Sequence, residues 1–126
     1  MNETSEKHLG KGNVRLQWSD RYSIPAVTVV KKALAKLPKT ADGVARSLRQ
    51  RKITGRPYLR ECPIAVYLNR ALATAGFRHY SVRVGRWIDI YDAYNHRLPA
   101  SVDIAVTISN FIADFDNGKY NYLLAP

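Results

Sequence analysis

The chain has 126 residues, an apolar content of 46% and a formal net charge of +10 at pH 7. This size favours one domain with a single core, and no apolar run reaches the roughly 18 residues of a membrane span, so we expect no membrane partner. A single cysteine excludes an internal disulfide and a cysteine-based zinc finger, which favours a reducing cytoplasmic setting without a metal or other cofactor.

The excess positive charge lies entirely in the first 70 residues, which carry 15 Lys and Arg against 5 Asp and Glu. Residues 71–126 carry five of each kind. Such a gradient indicates a surface that meets an acidic partner, and nucleic acid is the first candidate because Lys and Arg neutralise its phosphates. The densest basic run is residues 46–60, which is followed by one acid, Glu61.

The first part of the chain predicts a tail, a strand and a helix. Residues 1–12 are polar and predict a flexible tail, so that residues 13–126 form the single domain. Alternating polarity predicts a short strand over residues 14–18. Helical spacing then predicts a first helix over residues 26–37, which Pro38 ends.

Two more helices are predicted in the middle of the chain. The second runs over residues 41–51 with Thr40 as its N-cap. The third begins at Cys62-Pro63, where proline is favoured, and Gly76 caps its end. A basic loop connects them, since the segment TGRP at residues 54–57 breaks the second helix.

The last part predicts a β-hairpin followed by a helix. Residues 79–84 and 87–91 alternate in polarity and are separated by Gly85-Arg86, a pair typical of a tight turn. The alternation places the tryptophan of the second run in the core. A polar turn over residues 92–97 leads into a final helix, and the apolar residues 120–124 are expected to dock on the body or to contact a second copy.

This order of elements resembles a winged helix-turn-helix DNA-binding domain. The segment ALAKLPKTADGVARSL, residues 33–48, is similar to the first helix of such domains followed by the polar start and the Val-Ala-x-x-Leu core of the second. The resemblance implies an α+β fold, a small three-helix domain with a β-hairpin wing and, here, an additional C-terminal helix. In that family the third helix enters the major groove of DNA.

Charge and resemblance together predict a nucleic-acid interface. Basic residues of the run 46–60 would clamp phosphates, with Tyr58 as a base or sugar contact. Asn69 and Arg70 on the third helix would read base edges, and the arginines of the wing would reach the minor groove. The predicted nucleic-acid-binding residues are Arg46, Arg49, Arg51, Lys52, Arg56, Tyr58, Arg60, Asn69, Arg70, Arg83 and Arg86.

These features predict a small basic cytoplasmic protein that binds duplex DNA rather than RNA and has no enzymatic activity. It would act as a regulator of transcription or as an accessory factor of a phage or mobile element. A homodimer would suit paired DNA half-sites. A second interpretation is an inhibitor or adaptor whose basic face engages an acidic protein surface.

A third interpretation is catalytic and depends on Cys62, because a helix N-terminus favours the nucleophilic thiolate. His79, Asp89 and Asp92 follow it in the chain, and residues 70–89 are similar to part of the papain-like transglutaminase pattern. That resemblance implies a Cys-His-Asp site. A buried cysteine and an ordinary strand histidine explain the same residues structurally, so we assign no catalytic residue.

Overall fold

The computed structural model describes residues 8–9, 12–16, 23–94 and 97–126. In these residues the helices are α1 (Ser23–Ala35), α2 (Ala41–Gln50), α3 (Pro63–Thr74) and α4 (Val106–Asp116), and a 3₁₀ turn spans Asn121–Leu123. The strands are β1 (His8–Leu9), β2 (Gly12–Leu16), β3 (Tyr80–Val84), β4 (Ile88–Asp92) and β5 (Arg97–Val102). None of the described helices has the length and apolar character needed to cross a membrane.

The strands form an antiparallel sheet in the order β1-β2-β5-β4-β3. Helix α3 packs on β3, and α1 contacts both α3 and β5, so these two helices cover the sheet. The apolar residues of the hairpin that alternate toward them are buried, among them Val82 and Ile90. The predicted α+β fold, with three helices, a β-hairpin and a C-terminal helix, is confirmed.

Two local predictions about helix starts are confirmed. Thr40 is the N-cap of α2, and its Oγ1 accepts a hydrogen bond from the Gly43 amide N at 3.0 Å. Cys62 is the N-cap of α3, and its Sγ accepts a hydrogen bond from the Ala65 amide N at 3.4 Å. Pro63 takes the first helical position, where its missing N–H leaves no hydrogen bond unmade.

The hairpin differs from its prediction at the turn. Val84 pairs with Ile88, so three residues rather than two connect β3 and β4. Trp87 therefore lies in the turn and not in the core, with 38% of its surface exposed.

The segment before α4 is a strand where the sequence predicts a turn and a helix start. Strand β5 lies between β4 and β2 in the sheet. Pro99 makes β5 hard to recognise as a strand in the sequence, because proline cannot donate a hydrogen bond to a neighbouring strand. The register of β4 against β5 shifts between Ile90 and Asp92, and such irregularities are where sheets accept proline.

The predicted tail and first strand fall partly outside the described residues. His8 and Leu9 pair with Asn13 and Gly12, and residues 14–16 pair with β5. The flexibility of residues 1–12 and the domain boundary after them stay predictions.

Candidate nucleic-acid interface

The basic residues of α2 lie opposite its buried face. Val44, Ala45 and Leu48 are fully buried, whereas Arg46 and Arg49 are exposed. This division follows from the helical period of 3.6 residues. Helix α4 and the 3₁₀ turn pack against α2, so the apolar face is occupied and the arginines remain on the surface.

A lysine in the left-handed conformation ends α2. Arg51 is the C-cap, and Lys52 follows it with a φ of 59°. The Ile53 amide N donates to Leu48 O at 3.0 Å and the Lys52 amide N donates to Arg49 O at 2.9 Å, which are the hydrogen bonds of a Schellman motif. Glycine is favoured at the Lys52 position, so a lysine there costs about 1 kcal/mol and adds a cation beside Arg49 and Arg51.

Gly55 anchors the loop that follows α2 to the tail that follows α4. Its amide N donates to Leu123 O, and its carbonyl O accepts from the Ala125 amide N, each at 2.8 Å. A Cβ at this position would lie 2.4 Å from Glu61 O and 2.6 Å from Pro63 N. Only glycine therefore allows the two segments and the start of α3 to approach so closely.

The basic loop also lies against the hairpin turn. The Val84 amide N donates to Leu59 O at 2.8 Å, which joins two regions that the sequence predicts separately, the loop and the wing. Large apolar side chains are exposed here, with Tyr58 at 60% and Leu59 at 53%. We call these exposed residues of the loop and the hairpin turn the tip surface: Tyr58, Leu59, Arg60, Arg86 and Trp87.

Three arginines of the basic segment lie over tyrosine rings. The guanidinium carbon is 4.8 Å from the ring centroid for Arg49 over Tyr122, and 5.2 Å for Arg51 over Tyr67. For Arg60 the ring is that of Tyr91, at 5.5 Å. A ring attracts and orients a guanidinium without cancelling its charge, so these cations stay available to an anionic partner.

Carboxylates lie beside two other predicted arginines. Arg83 Nη2 donates to Asp89 Oδ2 at 3.1 Å, and Asp89 Oδ1 accepts a hydrogen bond from Ser101 Oγ at 2.7 Å. Arg56 lies 4.0 Å from the Glu61 carboxylate and donates to the Pro126 carbonyl O at 2.9 Å. These two arginines are therefore bound to the fold itself.

Of the two α3 residues predicted to read bases, Asn69 joins the helix to the sheet and Arg70 stays exposed. Asn69 Oδ1 accepts a hydrogen bond from the Val82 amide N at 2.8 Å, which joins α3 to the edge strand β3. Tyr67 is buried and donates its hydroxyl to Ala33 O at 2.6 Å. Arg70 is exposed and donates to Arg51 O at 3.2 Å, so it belongs to the surface near the end of α2.

The catalytic interpretation named Cys62, His79, Asp89 and Asp92. Each of them contacts a residue outside that set. Cys62 is buried, and burial raises the pKa of its thiol, which opposes thiolate formation. The His79 ring stacks on Tyr94 with 4.4 Å between centroids. Asp92 Oδ1 accepts from the Tyr94 amide N at 2.9 Å, and Asp89 is paired with Arg83 as described above.

Sequence reasoning missed the tyrosines that orient the arginines. Tyr67, Tyr91 and Tyr122 lie far in the chain from the arginines they contact, so no local spacing relates each pair. The only signal was the total of eight tyrosines in a basic chain.

The chain matches no protein-family model, no curated protein and no solved structure.

Proposed function

We propose that this protein binds duplex DNA through phosphate contacts, as a regulatory or accessory DNA-binding protein. The observation that carries the proposal is the set of arginines held over tyrosine rings instead of carboxylates. An arginine that is already oriented loses less side-chain entropy when it binds a phosphate. Its positive charge is also undiminished, so condensed counterions are released from the DNA when it binds.

The proposed phosphate contacts lie on α2 and on the tip surface. Arg46, Arg49 and Lys52 are exposed along α2 and at its end, and Arg60 and Arg86 are exposed where the loop meets the hairpin turn. The Asn69 amide oxygen already accepts a hydrogen bond from β3, so we propose no contact between this oxygen and DNA bases. Binding should therefore depend only weakly on the DNA sequence. The proposed setting is the cytoplasm, a reducing compartment that keeps Cys62 as a free thiol.

The test is the affinity for a duplex across salt concentrations, measured by fluorescence anisotropy. The logarithm of the binding constant should fall steeply with the logarithm of the salt concentration. The double variant Arg46→Gln/Arg49→Gln should lower the magnitude of that slope by about 2, because about 0.9 of a counterion is released for each phosphate contact. RNA and single-stranded DNA measured in parallel show which backbone geometry the surface accepts.

Lys119→Gln is the matched control, since it also removes a positive charge. Lys119 lies 3.7 Å from Asp114 on α4 and outside the proposed contacts. An affinity that does not change with salt would contradict the proposal. So would an equal loss in the Lys119 variant and in an Arg49→Gln single variant.

The tip surface favours a second candidate, an adaptor or inhibitor that binds an acidic protein. Exposed Tyr58, Leu59 and Trp87 lie beside Arg60 and Arg86, and tyrosine, tryptophan and arginine are the residues most enriched in protein-binding hot spots. A photoreactive residue at position 58 would then form a nuclease-resistant adduct with a protein. In that case adding Leu59→Ala/Trp87→Ala to the same chain would abolish the adduct and leave DNA affinity unchanged.

A homodimer is also proposed, through the tail that follows α4. Leu123 is buried by the docking of this tail, but Tyr122 and Leu124 stay 44% and 49% exposed. Sedimentation of the Leu124→Glu variant against the parent chain tests this contact.

A further inference from the structure

A groove between α1 and α3 combines four cations with an apolar floor. It has a volume of about 400 Å³, within the range of small-molecule sites. Lys32 and Lys36 line it from the α1 side, and Arg51 and Arg70 line it from the ends of α2 and α3. No carboxylate is among its lining residues in the described part of the chain.

The two arginines of this groove are held together although their charges repel. Arg70 donates to the Arg51 carbonyl O at 3.2 Å, and the Arg51 guanidinium lies over the Tyr67 ring. Neither contact neutralises a charge, so the pair presents an uncompensated double positive charge at one edge of the groove.

The floor of the groove is built from short apolar side chains. Val29, Ala33 and Ala71 line it together with Ile53. A mostly apolar lining with a few polar groups is usual for small-molecule sites, so this floor can contact the face of a base. A ligand with a single carboxylate would leave most of the positive charge of the groove uncompensated. A phosphate carries up to two negative charges and accepts several hydrogen bonds at once.

We propose that this groove binds a nucleoside phosphate, with the phosphate at the four cations and the base on the apolar floor. The site goes beyond the proposed function, because a free nucleotide could bind here whether or not a duplex binds along α2. The same chemistry has two sources, a free nucleotide or the 5′-phosphorylated end of a nucleic-acid strand.

The experiment follows the methyl signals of Val29, Ala33 and Ala71 by NMR while adenosine 5′-monophosphate is added to the full chain. Ring currents of a bound base should shift these signals to saturation. Adenosine alone and inorganic phosphate alone should each bind about tenfold more weakly, because each lacks one half of the recognised chemistry. The signals also report whether each variant is folded.

Arg70→Gln and Lys36→Gln should each weaken binding about fivefold, which is a typical loss for one charged hydrogen bond at an exposed site. Arg46→Gln removes the same charge outside the groove and should change the affinity by less than about twofold. Short oligonucleotides with a 5′-phosphate or a 5′-hydroxyl distinguish the two sources: selective binding of the phosphorylated strand without binding of the mononucleotide assigns the site to strand ends.

Absence of saturable shifts with every phosphorylated probe would overturn the proposal. An equal weakening by Arg46→Gln would also overturn it, since the cations would then act only through net charge. Neither result bears on duplex binding along α2, which the Arg49 variant tests separately.

Discussion

The arginines of the basic segment and those of the hairpin are held in different ways. Arg49 on α2 lies over the ring of Tyr122, whereas Arg83 on β3 is paired with the Asp89 carboxylate. Asp89 is itself buried, so its charge needs the arginine and the Ser101 hydroxyl as partners. The comparison shows that the same residue type stabilises the sheet in one region and remains available for an acidic ligand in the other.

The largest expected effect comes from a glycine in the basic loop. Gly55→Ala should lower the free energy of unfolding by about 3 kcal/mol, because the added methyl meets backbone atoms that cannot yield. Gly85→Ala in the hairpin turn is the matched control, since its Cβ meets only Leu59 Cδ2 at 3.4 Å. Urea unfolding of both variants measures the difference, and equal losses would show that the loop is not held by close backbone contact.

The next effect separates packing from base reading on α3. Asn69→Ala should lower the free energy of unfolding by about 1–2 kcal/mol, because the Val82 amide loses its acceptor. Its duplex affinity, measured under conditions where the variant is folded, should stay unchanged. Asn69→Asp keeps an acceptor oxygen and should recover most of the stability. A roughly tenfold loss of affinity for one DNA sequence alone would instead assign Asn69 to base reading.

Variants of Lys52 test whether its left-handed backbone conformation lowers stability while its positive charge strengthens DNA binding. Lys52→Gly should raise the free energy of unfolding by about 1 kcal/mol, since glycine adopts a positive φ without strain. The same change should weaken duplex binding by roughly twofold to fivefold through the lost cation. Lys52→Gln is the control that loses the charge but keeps the strain. If Lys52→Gly weakened binding and Lys52→Gln did not, charge would not be the cause.

The smallest expected effect concerns Arg49, which lies over a ring, and Arg83, which is paired with a carboxylate. Arg49→Gln should weaken duplex binding about threefold at low salt, whereas Arg83→Gln should affect stability more than binding because Asp89 already neutralises that arginine. Arg49→Lys keeps the charge but loses the planar stacking on Tyr122, so its affinity should lie between those of the parent chain and Arg49→Gln. Anisotropy titrations and urea unfolding on the same samples measure both quantities, and a greater binding loss for Arg83→Gln would reverse the comparison.

Local signals in the sequence determined the starts of α2 and α3. The Thr40 cap, the Cys62-Pro63 start and the apolar spacing of α2 each depend on neighbours within one or two helical turns, so they could be predicted without tertiary information. The charge gradient likewise identified residues 46–60 as the basic segment.

Only the tertiary structure decided which of these cations are neutralised. The partners of Arg49 and Arg60 are tyrosines in distant elements, and the place of β5 in the sheet depends on pairing with β2 and β4 rather than on its own proline-containing sequence. The groove between α1 and α3 has the same origin, since its four cations belong to three segments that meet only after folding. Composition fixes how much charge a chain carries, but the contacts made on folding fix where that charge is left uncompensated.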